Sequence, residues 1–331
     1  MLYTILILLF LLFALYAAYI LGNTVYHCLY LNYDRTKPVP ESVTIDNHVR
    51  DHLMAFTHEI QWYDSLSWWQ RDGIMGGLHA MNDARVGFFA KYLSITKEER
   101  QHEGRELTFH DIGCGGGICT EELAKRGFNM IGVDMSKESI RQATTHAREQ
   151  GIQNVNYVIG NAYDLSFIPP ASSDGVVMSD VLEHFHDLPT VVHQVSRMLR
   201  PGSFLVFDTM KRNWLTFIIN EVVQNSPLAI LPQHTHHWSL MINVEELKTL
   251  LDREGMELKI VKGLGIDVFS ITFWKAFLLR KREQFPFSIT DDVMWNYIGY
   301  AKHPTSASHV PRAAVTYGYL DSGVGSTFLS T

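Results

Sequence analysis

The chain has 331 residues, a formal net charge of -7 and 46% hydrophobic residues. That length holds one generous domain or two small ones, with enough apolar residues for a real core. An acidic chain without a long basic run excludes a nucleic-acid partner, which would need clustered Lys and Arg. Cys28, Cys114 and Cys119 make neither a disulfide framework nor a zinc pattern.

From Leu2 to Leu21 no residue is charged. A helix of that length, at about 1.5 Å per residue, reaches roughly the 30 Å of a bilayer's hydrocarbon. A cleaved signal peptide would need a basic n-region and a small-residue cleavage site, and the segment has neither. The expectation is an uncleaved transmembrane anchor over residues 1–22 and a linker over 23–45 carrying Pro38 and Pro40. A single folded domain over 46–303 follows, then a disordered tail over 304–331, rich in Ser, Thr, Gly and Ala. Arg35 and Lys37 follow the span, which places the domain on the cytoplasmic or mitochondrial matrix side of a single-pass protein.

Inside the domain strands and helices alternate. Leu107–His110 is a short strand that enters a glycine loop, and Ile118–Arg126 has helical spacing ending at Gly127. Asn129–Val133 is the next strand. Ser136 then caps a helix that runs to Gln150 and stops at Gly151, with Glu138 in its first turn. Val155–Ile159 and Gly175–Met178 are further strands. A helix covers Pro189–Leu199, and Pro201-Gly202 turns the chain into Phe204–Asp208. Trp295–Ala301 adds an edge strand. The alternation predicts an α/β, Rossmann-like, doubly wound and mostly parallel sheet with helices on both faces.

Gly113, Gly115 and Gly117 follow the first strand, where missing side chains let backbone approach a ligand closely. Asp134 ends the second strand, in position to accept both ribose hydroxyls of a nucleoside. A dinucleotide fingerprint would put its third glycine at position 118, which is Ile118, so a nicotinamide oxidoreductase is disfavoured. The loop opens with Asp111, an acid suited to the cationic amino group of S-adenosylmethionine. Asn161 and Ala162 follow the third strand, where an adenine ring would lie; Asn161 either meets the base edge or ends the strand.

After the fourth strand comes Ser179-Asp180-Val181-Leu182-Glu183-His184, on the side where doubly wound sheets bind ligands. A helical turn would put Asp180, Glu183 and His184 on one face. Two carboxylates and an imidazole there would hold a divalent cation, Mg²⁺ by their oxygen content, or would simply form an acidic helix start. His184 is the first candidate to assist a deprotonation there, ahead of His186 and His236.

Trp68-Trp69-Gln70-Arg71-Asp72-Gly73 and Leu78-His79-Ala80-Met81-Asn82-Asp83-Ala84-Arg85 lie upstream of the glycine loop. With that loop and the Asp180-x-x-Glu183-His184 segment, they resemble the ubiquinone-biosynthesis O-methyltransferases over about residues 62–302. The resemblance implies a class I methyltransferase that moves a methyl group from S-adenosylmethionine to a lipophilic phenol or quinol, with a membrane and a quinone-biosynthesis assembly as partners. It implies that Arg85 reaches the cofactor carboxylate and that Gly113, Asp134 and Ser179 line the cofactor pocket. The family's Glu-x-x-Glu-His metal pattern has Asp180 at its first position here. Asp83 replaces a proline, Lys211 an asparagine and His234 a glycine, all in regions that face the acceptor. Methylation of another lipid or of a small metabolite, and a non-catalytic membrane-anchored scaffold of the same fold, are the alternatives those departures leave open. A second apolar stretch, Trp214–Leu231, is too short to span a bilayer and is expected either at the membrane interface or as a packed lid.

Overall fold

The computed structural model describes Leu15, Tyr16, Ala18, Tyr19, residues 62–223 and residues 236–305. Among them no helix is long and apolar enough to cross a membrane. The expected anchor lies outside the described residues except for those first four, as do the expected linker and nearly all of the expected tail.

Eight strands form one sheet: β1 Phe109–Ile112, β2 Met130–Asp134, β3 Val155–Ile159, β4 Ser173–Ser179, β5 Leu199–Met210, β6 Glu257–Ile266, β7 Phe287–Thr290 and β8 Asn296–Lys302. Their order is β3-β2-β1-β4-β5-β8-β6-β7. The first five are mutually parallel and the last three join antiparallel. The strand order reverses between β1 and β4, and the crevice at that switch point is where such sheets bind ligands.

Seven helices accompany the sheet among the described residues: α1 Gly76–Glu99, α2 Ile118–Lys125, α3 Lys137–Glu149, α4 Leu188–Met198, α5 Trp214–Phe217, α6 Val244–Arg253 and α7 Ile271–Leu278. Side chains of a strand point alternately to opposite faces, and β5 shows the consequence. Phe204 and Val206 pack with Phe89 and Leu93 of α1 and Leu123 of α2. Leu205 and Phe207 pack on the other side, with Val191 and Val195 of α4 and Leu247 and Leu251 of α6. Both faces of the sheet are therefore covered, as the unbroken apolar runs of its central strands require.

The strand at the end of the domain differs from the expectation. It is β8, and it is inserted between β5 and β6 instead of lying at an edge. Its residues are nearly all buried, and a side chain at Gly299 would strike the Ile260 carbonyl and the Phe207 ring. A strand without a solvent face cannot be an edge, and β7 takes that place. Helix α3 begins as the sequence predicts: the Ser136 side chain accepts from Ser139 N–H.

Helices α2 and α3 are joined by a pair in which Glu121 is buried and His146 half-buried. Both carboxylate oxygens of Glu121 lie 2.9 Å from His146 Nδ1, and Trp69 stacks flat on that imidazole with ring centroids 3.4 Å apart. Burial pushes the Glu121 carboxyl up to about 8 and lowers His146, so the pair is neutral near pH 7. A raised carboxyl contributes stability that is full below its ordinary value and is lost as pH rises through the folded one. The lowered imidazole acts oppositely, but only below its own ordinary value of 6.5. Between pH 6.5 and 8 the Glu121 effect is free of the imidazole's and adds to those of the other carboxyls that burial raises into this range, Asp111 and Glu183. Urea titrations across that window should show Glu121→Gln losing about 1–2 kcal/mol less than the parent; an equally steep profile in the variant would refute the assignment.

Candidate active site

A cavity of about 450 Å³ opens at the switch point and runs from the glycine loop to the aromatic side chains of α7. The turn after β1 is shaped by glycine. Gly115 has φ +51, and a Cβ there would come within 2.3 Å of the Trp68 ring. A Cβ on Gly116 would meet the same indole at 2.2 Å. Trp68 thus lies directly on the loop backbone. Its indole N–H donates to Ser139 Oγ at 2.9 Å, and its own backbone N–H donates to Gln142 Oε1 at 3.1 Å. The Trp68 carbonyl accepts from His79 Nε2 at 2.9 Å, and burial lowers the His79 pKa, so that imidazole is held neutral.

Asp134 closes the loop from the other side. Its Oδ2 accepts from Gly115 N–H at 2.8 Å and its Oδ1 from Ser136 N–H at 2.9 Å. Burial raises its pKa, and those backbone donors oppose the rise. Asp111 accepts from Thr120 Oγ1 through Oδ2 at 2.6 Å. Its Oδ1 is buried without a hydrogen-bond partner among the described residues, and burial holds the carboxyl up at about 7. An orphaned acceptor of this kind is costly unless something fills it, and a cationic donor does so best.

Arg85 is the buried cation of the cavity wall. Its Nε donates to Asn82 Oδ1 at 2.7 Å, and its Nη1 lies 3.6 Å from Asp208 Oδ2. Burial is the largest single influence and opposes its charge, but Asp208 together with the other acidic groups nearby, Asp180 and Asp111 among them, outweighs it and raises the Arg85 pKa. Asp208, on β5 beside Ser179 of β4, also accepts from Ser179 Oγ at 2.6 Å. Burial lifts its carboxyl to about 6 even with Arg85 alongside.

Of the residues singled out from sequence, Arg85, Asp111, Gly113, Gly115, Asp134, Asn161, Ala162, Ser179, Asp180 and His184 line the cavity. Gly117 and Glu183 do not. Gly117 caps α2 at φ +84, and a Cβ there would strike the Tyr157 hydroxyl, so it serves the packing of the loop against β3. Asn161 uses its side-chain oxygen locally, accepting from Tyr163 N–H at 3.0 Å. The His186 ring stands outside the wall, and its backbone N–H donates to Tyr163 Oη at 2.9 Å. His234 lies outside the described residues. Arg212 is paired with Glu246 on α6 and does not line the cavity.

The expected trio of Asp180, Glu183 and His184 is not the cluster that the fold builds. Asp180 has φ +54 and precedes a short 3-10 turn over Leu182–His184, so it does not share a helical face with the other two. His236 takes its place: the ligand atoms of Glu183, His184 and His236 all lie within 4.8 Å of one another. Glu183 accepts from Thr209 Oγ1 at 2.7 Å through Oε2, while Oε1 is buried without a hydrogen-bond partner among the described residues. Burial, then the Asp180 charge, pushes its carboxyl up to about 8.

Four contributors escaped the sequence reading. Tyr63 Oη lies 3.3 Å from His184 Nε2. Asp208 carries no motif. Phe273 and Phe277 of α7 line the far end of the cavity; their i, i+4 spacing before a basic run was the available signal.

A family profile described as a methyltransferase domain matches residues 110–207. The ubiquinone biosynthesis O-methyltransferase of Methylococcus capsulatus is 30% identical over 240 residues, which cover 72% of this chain and 91% of the relative. The mitochondrial ubiquinone biosynthesis O-methyltransferase of Homo sapiens is 28% identical over 278 residues, covering 81% of this chain and 69% of that protein. A solved SAM-dependent methyltransferase from Methanosarcina mazei superposes with a TM-score of 0.45 at 20% identity, over 61% of this chain and 94% of the other.

The contact between Trp68 and the loop can be tested with two glycines. Gly115→Ala should weaken S-adenosylmethionine binding in calorimetry at least roughly tenfold, about 1.4 kcal/mol. Gly104 has φ +65 but nothing within 4 Å of a built Cβ, so Gly104→Ala should cost only about 1 kcal/mol of stability and leave binding intact. Equal affinities in the two variants would mean that the loop is not the binding surface.

Proposed function

The chain belongs to the ubiquinone biosynthesis O-methyltransferase family and is an S-adenosylmethionine-dependent O-methyltransferase, and from that premise we propose that it methylates a phenolic hydroxyl of a lipophilic quinone precursor. One observation carries the choice of acceptor. The cavity that begins at the glycine loop continues past His184 into a chamber walled by Phe273, Phe277, Phe285 and Trp295. A hydrophilic metabolite would leave that chamber's apolar wall wet, whereas a prenylated ring fills it.

The residues present fit S-adenosylmethionine. Asp111 offers a buried, unpartnered oxygen to a cationic amino group. Arg85 offers a guanidinium to a carboxylate, and Asp134 terminates β2 where ribose hydroxyls would be accepted. When bound, the cofactor supplies an electrophilic methyl on a sulfonium, which an oxygen nucleophile attacks in line.

The chain's own part is to bind, orient and deprotonate. Trp68 and Asp134 fix the loop from both sides, so the cofactor cradle costs little reorganisation on binding. His184 faces the junction between cradle and chamber and accepts the phenolic proton. The 3.3 Å contact of its Nε2 with Tyr63 Oη is the geometry that a phenol adopts against an imidazole. The aromatic wall keeps water from the nucleophile, and positioning then supplies most of the rate.

Glu183, His184 and His236 would hold a divalent cation, with the unpartnered Glu183 oxygen as one ligand. Two imidazoles and one carboxylate suit a borderline transition-metal ion better than Mg²⁺, which prefers oxygen and retained water. A bound cation would occupy the His184 lone pair, so it would activate the phenol as a Lewis acid in place of proton transfer to that imidazole.

The deciding experiment follows labelled methyl transfer from S-adenosylmethionine to demethylated quinols and catechols in detergent, with and without chelator. Labelling of the prenylated phenol is expected, and bound cofactor without labelling of any phenol would overturn the acceptor. His184→Gln should lower kcat by about 10²–10⁴-fold with cofactor affinity retained. Glu183→Ala should likewise lose turnover and keep cofactor affinity; unchanged turnover would exclude a catalytic metal at this cluster.

A further inference from the structure

Helix α7 is apolar on two opposite sides. Phe273, Ala276 and Phe277 turn inward, Ala276 fully buried and the two rings on the cavity wall. Ile271, Trp274 and Leu278, spaced i, i+3, i+7 along one stripe, turn outward into water. Phe269 before the helix is 93% exposed, Ile271 87% and Leu278 74%. Single exposed apolar residues need no explanation, but a contiguous stripe of this size marks a covered surface. The helix is well made: Ser270 caps it, accepting from Phe273 N–H. Its exposure is thus not a fraying end.

The charge around the stripe identifies what covers it. Residues 267–284 carry four basic side chains, Lys275, Arg280, Lys281 and Arg282, against two acidic ones, Asp267 and Glu283, in a chain whose net charge is -7. Lys275, Arg280 and Lys281 are exposed beside the apolar stripe. A second copy docking through the same face would set these cations against each other. A bilayer with anionic headgroups satisfies both features at once, accepting the apolar stripe at the acyl boundary and the cations at the phosphates. Trp274, apolar with one N–H donor, suits the headgroup level.

We propose that α7 and the adjoining Phe269 and Lys281 form a monotopic docking surface for an anionic lipid bilayer, and that the same helix brings the cavity mouth to that bilayer. The surface is distinct from the Trp214–Leu231 stretch. The docking itself does not depend on the methyl-transfer reading; only the entry of a lipid-borne acceptor past Phe273 and Phe277 rests on it.

The test is site-directed spin labelling of the full chain, with Cys28→Ser to keep that position unlabelled. Nitroxides are placed in turn at Ile271→Cys, Trp274→Cys and Leu278→Cys, with Glu149→Cys on α3 as the distant control. Phosphatidylcholine vesicles containing phosphatidylglycerol should move the three α7 labels into oxygen-accessible, nickel-chelate-inaccessible surroundings and leave position 149 aqueous. Replacing both Lys275 and Lys281 by Glu should cut the bilayer-embedded fraction of the three α7 labels roughly tenfold or more, a readout that the N-terminal apolar segment does not set, in keeping with the pull of anionic headgroups on each cation. Labels that stay aqueous on vesicle-bound chain overturn the proposal. So do dipolar broadening between labels without vesicles, which means a second copy, and labels shielded before vesicles are added, which means another segment of the chain. Turnover of a short-chain, water-soluble phenol is followed in parallel. Its absence alongside buried labels would sink the catalytic reading and leave the docking surface standing.

Discussion

The Trp68 indole lying on the backbone of Gly115 and Gly116 is the contact on which the site depends. The sheet and its glycine turn belong to a general architecture, and such a turn is open to solvent on its outer side. Here an aromatic ring from well upstream fills the space that two missing side chains leave. Ser139, Gln142 and His79 each hold Trp68 in that place by a hydrogen bond. The segment before α1 is thereby tied to the ligand-binding edge of the sheet. Tyr63, next to it, reaches His184 on the opposite side of the cavity. A roof is built over a cleft that would otherwise be shallow.

The electrostatics of the cavity follow from this enclosure. Asp111, Asp134, Glu183 and Asp208 are all withdrawn from water, and burial raises the pKa of each. Arg85 is the buried cation set among them. Its pairing with Asp208 is loose, at 3.6 Å, which leaves the guanidinium able to meet a second carboxylate without moving far. A site with several carboxylates near their proton affinity and one committed cation is poised for a zwitterionic, positively charged ligand. An enclosed, low-dielectric setting strengthens each of these interactions relative to water.

The apolar half of the cavity comes from a different part of the chain. Helix α7, between β6 and β7, contributes rings to the chamber and a second apolar face to the outside. One short helix therefore links the pocket to the surface. If the acceptor is as lipophilic as the chamber's wall implies, a route that never exposes it to water lowers the cost of transfer by the apolar area kept dry.

Much of the core was legible in local sequence. The strands around positions 110, 131, 157, 176 and 206, the Ser136 cap and the glycine turn follow from period, capping and φ requirements that act within a few residues. Asp111, Asp134 and His184 could be named because strand ends in this topology converge on one crevice, and Ser179 because the family resemblance implies it. What local pattern could not give was partnership at long range. The i, i+4 logic that grouped Asp180 with His184 failed because Asp180 takes a left-handed backbone conformation. The third member of the cluster, His236, comes from more than fifty residues downstream. The insertion of β8 between β5 and β6 is likewise a matter of which edge is buried, and only packing against Phe207 and Ile260 decides it. Asp208 reads as an unremarkable strand residue until the fold sets it beside Arg85. Sequence alone determined the parallel sheet and its ligand-binding edge, since each rests on spacing within one element or one turn, and the class of chemistry followed from the family resemblance of several such segments. Tertiary structure alone decided which distant side chains share the cavity and which apolar helix face is left exposed among the described residues, because those depend on how elements far apart in the chain are brought together.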